Sequence, residues 1–407
     1  MSNLTQNQIR QIALQVIRNM KNESPNQQPL FREGSDHSSA ILENGLFPDI
    51  SSAVKAAGNA QIQFAALSLE QRSEIIQNIR RWMNDHAEIL ARKAWDETGL
   101  GNYQDKIIKN KLVIDKTPGP EILKPEAVSG DRGLMLMERA PYGVIGSITP
   151  CTNPTSTIIC NTIGMLSSGN AVVFNVHPTA KKVSIYNIEL LNRAIVEAGG
   201  PENLVATIAE PTISSAQELM THTGVNLLVV TGGAAVVKAA MTSGKRAICA
   251  GPGNPPVVVD ETADIEHAAK SIVQGASLDN NIICVLEKEI IVVESVADQL
   301  LSAFTRHDAV VLKTYEIDQL EKVIFDETRG NRKPAKVNKS LIGQPIQKIL
   351  KKIGKPADDR IKLAIAPVDV GHPLVWTEQM LPVLPLVRVP NVHQAINLAK
   401  DAEHGFG

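Results

Sequence analysis

The chain has 407 residues, 43% of them hydrophobic and 21% charged, with a formal net charge of −2. That length can bury a large core divided over two or three domains, and the balanced charge excludes the electrostatic footprint of a nucleic-acid binder or of a protein held on an anionic membrane. Cys151, Cys160, Cys249 and Cys284 form no C-x-x-C pair, and the nine histidines show no metal-ligand spacing; an intracellular, reducing compartment without a metal site or disulfide framework is expected. No stretch approaches the ~20 apolar residues of a spanning helix, and no apolar signal core heads the chain.

In chain order, Ile9, Ile12, Ala13, Val16, Ile17 and Met20 recur at helical spacing within 4–20 and draw one apolar stripe on a polar helix. The polar stretch 21–36 reads as a linker. A short tethered helix cannot bury its stripe alone and needs a partner surface, either its own globule or another protein. Residues 50–98 have helical patterning, and 127–142 reads as an extended hairpin. Strands are then expected at 144–148, 171–176, 204–208, 225–230 and 246–250, separated by helices at 156–166, 181–198, 214–222 and 234–241. Strands separated by helices are βαβ units of a parallel sheet. A second set follows, with strands at 257–259, 289–293 and 309–312 and helices at 265–275 and 297–304. The fold class is α/β with two lobes meeting near 250–256. The basic run at 348–355 reads as a solvated helix face.

Five places could carry chemistry. In 275–291, GASLDNNIICVLEKEII, Cys284 lies behind a polar turn and ahead of an apolar run. A reactive thiolate needs partial exposure and positive potential, which N–H groups at a helix start supply; a lone cysteine also serves as a small buried hydrophobe, and spacing leaves both readings open. In 142–162, YGVIGSITPCTNPTSTIICNT, Asn153 precedes Pro154 where a strand gives way to a helix. Its amide could stabilise an oxyanion at a strand's carboxyl end or cap the helix. Thr231, Gly232 and Gly233 form a strand-to-helix turn open to phosphate. Residues 250–256, AGPGNPP, form a tight turn between the lobes, and Glu378 stands just ahead of a proline-punctuated strand.

The order of these elements resembles the aldehyde dehydrogenase family. It runs P-x-G-V through Asn153-Pro154, then G-N-x-V-V at 169–173, T-G-G at 231–233, a glycine turn before Asn254-Pro255, Cys284, and E-x-x-x-P-V at 378–383. The resemblance extends from about residue 50 to the end. It implies a Rossmann-like cofactor lobe and a catalytic lobe, with Cys284 as nucleophile and Asn153 as oxyanion donor. It places NAD, with NADP possible, against Pro150, Asn175, His177, Thr231, Gly232, Gly233 and Glu378.

Two departures narrow the branch. Hydrolytic members carry a glutamate just before the glycine turn, where this chain has Ile248, Cys249 and Ala250, and the usual tryptophan before the asparagine is replaced by Cys151-Thr152. Both are similar to the CoA-acylating enzymes of bacterial microcompartments, which implies oxidation of acetaldehyde or propionaldehyde to the acyl-CoA in a cytoplasmic microcompartment. A hydrolytic enzyme, yielding free acid without CoA, and a catalytically silent cargo protein are the alternatives. By the same resemblance 1–36 is a targeting segment whose helix 4–20 meets a shell protein, 37–249 the cofactor domain with an oligomerisation hairpin at 121–139 (implying a homo-oligomer), and 250–407 the catalytic domain. The family continues past the E-H-G-F-G at which this chain ends, so that domain is expected to be incomplete.

Overall fold

Valine, isoleucine and leucine runs bounded by glycine, proline and asparagine build the strands, and the computed structural model describes residues 45–404. The stripe-bearing segment 4–20 and the linker 21–36 lie outside the described residues. In chain order the first strands are β1 (Leu46–Phe47), β2 (Glu126–Gly130), β3 (Gly133–Met137), β4 (Val144–Ile148), β5 (Ala171–Asn175), β6 (Val205–Ile208), β7 (Leu227–Thr231) and β8 (Ala247–Ala250). Six of these form a parallel sheet in the order β1-β6-β5-β4-β7-β8. β4 and β5 are buried along their whole length, as expected of strands covered on both faces.

The chain leaves β4 for β5 on one side and returns to β7 on the other. That reversal parts the connections at the carboxyl end of β4 and opens a crevice there. The helices around this sheet are α1 (Ile50–Ala65), α2 (Leu69–Thr98), α3 (Tyr103–Lys116), α4 (Pro154–Ser167), α5 (Lys181–Glu197), α6 (Ile213–Thr221) and α7 (Ala234–Met241). α2 starts on a capping box between Ser68 and Gln71 and stops at Gly99, whose φ of 65° suits the left-handed cap.

The second sheet is also parallel, in the order β11-β14-β15-β10-β9, with β9 (Pro256–Val259), β10 (Glu289–Val293), β11 (Ala309–Val311), β14 (Leu363–Pro367) and β15 (Val383–Val389). The short antiparallel pair β12 (Phe325–Glu327) and β13 (Lys336–Val337) stands apart. α8 (Ile265–Ser277) runs from β9 towards the turn that carries Cys284 and buries Ala269, Ile272, Val273 and Ala276 on one face. β2 and β3 pair in antiparallel register from Glu126↔Met137 to Gly130↔Gly133, with every residue exposed. Among the described residues no helix is long and apolar enough to cross a membrane.

Each expected strand and helix from 144 onward falls within a few residues of its observed place. α3 is the omission. Its sequence, YQDKIIKNKLVIDK, reads as a solvated lysine-rich stretch, yet Lys106, Lys109 and Asn110 are buried while Ile108 and Leu112 are exposed.

Candidate active site

A cavity of about 730 Å³ opens at the carboxyl ends of β4, β5 and β7, faced by the turns that lead into β9, β10 and β15 of the second sheet. Its wall contains Cys284, Asn153, Pro150, Asn175, His177, Thr231, Gly232, Gly233 and Glu378, so residues from 150 to 378 that only the motif order linked converge on one space.

Cys284 sits in an irregular turn between α8 and β10. Ahead of it Asp279, Asn280 and Asn281 take φ of 49°, 55° and 63°, three successive left-handed residues, a conformation that Asp and Asn tolerate better than other side chains. Their side chains lace the turn in place. Asn280 Nδ2 donates to the Gly343 carbonyl at 2.9 Å, and Asn281 Nδ2 to those of Ala276 at 2.7 Å and Glu287 at 3.1 Å. Lys288, fully buried, ties it from behind with Nζ bonds to the carbonyls of Asn281 (3.1 Å) and Ile283 (3.0 Å) and to Asn281 Oδ1.

Burial pushes the Cys284 thiol up from its ordinary pKa and the Glu378 carboxylate adds to that, while Lys288 and the backbone N–H groups of Cys284 and Val285 pull it down. The net direction is upward. The cysteine follows a turn, and desolvation outweighs the local donors. Burial lowers Lys288 to about 8 and raises Glu378, whose carboxylate accepts from the Gly253 N–H.

Asn153 stands at the N-cap of α4 but makes no capping bond, so of its two readings the cap is not realised. Its Nδ2 donates to Thr152 Oγ1 at 3.1 Å, and its Oδ1 accepts from Lys109 Nζ at 2.6 Å. Lys109 also bonds Asp279, which accepts from Lys106 at 3.1 Å and from the Asn102 N–H at 2.6 Å. Asp105 in turn accepts from the Asp279 N–H at 2.8 Å. These α3 residues escaped the sequence reading because lysines within a polar run resemble a solvated face; the Asn102 cap at Gln104 and Asp105 was the available sign of a helix there.

On the sheet side, Thr231 closes β7 and Gly233 is the N-cap of α7, with no side-chain cap. Gly232 and Gly233 leave the backbone bare. A Cβ at Gly232 would meet Val236 at 2.7 Å, and one at Gly233 would meet nothing within 4 Å. A dinucleotide fits these features, since the helix start is open to a pyrophosphate and Glu378 Oε1 is buried without a partner, free to accept from a ribose hydroxyl. His177 Nδ1 is taken up by Thr179, and burial lowers its pKa, so the ring is neutral. The Asn175 amide is committed to Ser215 Oγ at 2.6 Å and the Thr212 carbonyl at 3.4 Å, which makes it more brace than ligand group. Among the described residues no cluster of His, Cys, Asp and Glu is disposed to hold a metal.

The aldehyde dehydrogenase family model matches residues 42–314. The acetylating acetaldehyde dehydrogenase EutE of Salmonella typhimurium is 46% identical over 92% of this chain and 80% of its own. The CoA-propanoylating propanal dehydrogenase of Citrobacter freundii is 42% identical over 90% of this chain and 78% of its own. In structure, the chain is similar to Rhodopseudomonas palustris propionaldehyde dehydrogenase with bound CoA and an acylated cysteine, with a TM-score of 0.85 and 45% identity over 89% of this chain and 82% of that one. It is also similar to a propionaldehyde dehydrogenase from the Clostridium phytofermentans fucose utilisation bacterial microcompartment, with a TM-score of 0.85 and 42% identity over 89% and 82%.

Proposed function

The chain belongs to the aldehyde dehydrogenase family, and from that premise we propose that it converts a short-chain aldehyde to the acyl-CoA, using NAD and coenzyme A, through a thioester on Cys284. The observation that carries this reading is the cavity wall. It joins the Cys284 thiol to the Asn153 amide, and among the described residues its one carboxylate is Glu378, which this reading assigns to the ribose. With no carboxylate at 248–250, where hydrolytic members carry theirs, the thioester persists until a stronger nucleophile, the CoA thiolate, arrives.

In this reading the part-exposed Cys284 thiol gives its proton to solvent, Sγ attacks the aldehyde carbon, and the carbonyl electrons move to an oxyanion held by Asn153 Nδ2 and the Cys284 backbone N–H. A nicotinamide bound in the cavity supplies the hydride acceptor. Glu378 would hold its ribose, and the turn at 231–233 with Pro150 would flank its pyrophosphate. Loss of hydride leaves the acyl group on sulfur. CoA thiolate then adds to the thioester carbonyl, and Cys284 departs as thiolate. No carboxylate stands at 175–177 to oppose a 2′-phosphate, so NADP is admitted beside NAD.

The substrate class is the one shared by the relatives' names, short aldehydes of the acetaldehyde and propanal type. We assign the cofactor domain to 37–249 and the catalytic domain to 250–407. The relative from a microcompartment supports a place inside such a compartment in the cytoplasm, and the apolar stripe that the sequence draws over 4–20 is assigned to a shell protein. Exposed Val128, Leu134 and Leu136 support the hairpin as a contact between copies of the chain.

NADH formation from propionaldehyde with and without CoA, with identification of the acyl product, tests the reaction. Sustained turnover to propionyl-CoA only when CoA is present is expected, with a single-turnover burst in its absence. Sustained release of propionate without CoA, or a Cys284→Ala protein at wild-type rate, would refute it.

A further inference from the structure

An asparagine amide is nearly symmetric in shape but not in charge. Turned by half a revolution, Asn153 would present Oδ1 to the oxyanion and repel it, so a useful donor must be held in one orientation. The capping bond that might have held it is absent. The group that breaks the symmetry comes from α3. The Lys109 ammonium can only donate; it lies 2.6 Å from Asn153 Oδ1, which leaves Nδ2 on the opposite side with one N–H on Thr152 Oγ1 at 3.1 Å and the other free. Lys109 is 6% exposed, and Asp279, to which it is also bonded, is 0% exposed.

We propose that Lys109 is a positioning residue for the reaction, fixing and polarising the Asn153 amide so that Nδ2 faces the oxyanion. Asp279, five residues before the nucleophile, anchors this ammonium, and because Lys106 bonds the same carboxylate at 3.1 Å, Asp279 and the turn it opens stay paired when Lys109 is replaced. Burial lowers Lys109 to about 8, so it remains mainly an ammonium at neutral pH. The proposal rests on Asn153 being the oxyanion donor, and its test separates the two assignments.

Single-turnover hydride transfer is measured for Lys109→Met, Lys109→Arg, Asn153→Ala and the Lys109→Met/Asn153→Ala double variant, with Cys284 alkylation as an independent report on the nucleophile turn. Asn153→Ala is expected to lose ~10²–10³-fold in rate. Lys109→Met should lose about tenfold or more at little change in aldehyde KM, with partial recovery in Lys109→Arg. The double variant should be no slower than Asn153→Ala alone, since Lys109 acts only through that amide. A merely structural lysine would instead slow the Asn153→Ala background further and change Cys284 alkylation, which would overturn the proposal. Lys109→Met within twofold of wild type beside a slow Asn153→Ala would overturn it as well. A wild-type rate for Asn153→Ala would instead remove the oxyanion assignment on which it rests. Should Lys109→Met fail to fold, Lys109→Gln, which keeps an N–H donor without the charge, takes its place in the same cycle.

Discussion

Replacing Asp279 with asparagine removes a charge and little else. Asn has the same size, offers an oxygen to the Asn102 N–H now bonded at 2.6 Å, and accepts the left-handed φ of 49° as readily as Asp. What disappears is the counter-ion shared by Lys106 and Lys109, both buried. Asp105 stays nearby, but burial already raises its own pKa, so it compensates poorly. Removing one partner of a buried ion pair costs about 3–5 kcal/mol. With an m-value of about 3 kcal/mol/M, the urea midpoint of Asp279→Asn should fall by roughly 1–1.7 M at neutral pH. The sign with pH is also set. A lysine whose folded pKa is lowered destabilises while charged, and the fold gains stability as pH rises between its folded and unfolded values. The deficit of the variant should therefore shrink above about 8, where Lys109 sheds its proton. A loss below ~1 kcal/mol at neutral pH, or a deficit that grows with pH, would refute the argument that this carboxylate neutralises the cluster.

Glu289 is buried in β10 with both carboxyl oxygens unpartnered, and burial raises its pKa from 4.5 to about 9. Between those values the folded chain holds a proton that the unfolded chain has lost, so stability falls as pH rises across that window. Glu289→Gln should flatten that decline in a pH series of thermal midpoints, and parallel curves for the two proteins would refute the assignment. Glu378 helps to hold the Cys284 thiol above its ordinary pKa, so Glu378→Gln should move the pH dependence of Cys284 alkylation, read by mass spectrometry at that residue, to lower pH. An unmoved profile would mean that burial alone raises the thiol.

The alternation of β-branched runs with helical periodicity made the parallel architecture legible from 144 onward, because strands covered on both faces carry little but apolar residues. Cys284, Asn153 and Glu378 could be singled out through the order of short motifs, and the cavity gathers them all. The supports of those residues were not. Lys109 and Lys106 lie on a helix whose charged face points inward while Ile108 and Leu112 point outward, an inversion that periodicity reads as a solvated stretch. Lys288 was equally hidden, since a lysine heading an apolar run ordinarily marks a strand's exposed start, whereas here its three donors close the turn ahead of Cys284. The Asn175 amide shows the converse limit: a motif position on the cavity wall can spend its polar atoms on its own scaffold.

The β2–β3 ribbon carries a practical consequence. Two strands alone are marginal in water, and this pair has every residue exposed, including the turn at Asp131 and Arg132 between the strands. Trypsin should therefore reach Arg132 long before the buried sheets yield, nicking the chain at a point outside the cavity wall. Whatever surface covers the ribbon in an assembly will slow that cut, so the half-life of the Arg132 bond becomes a gauge of association.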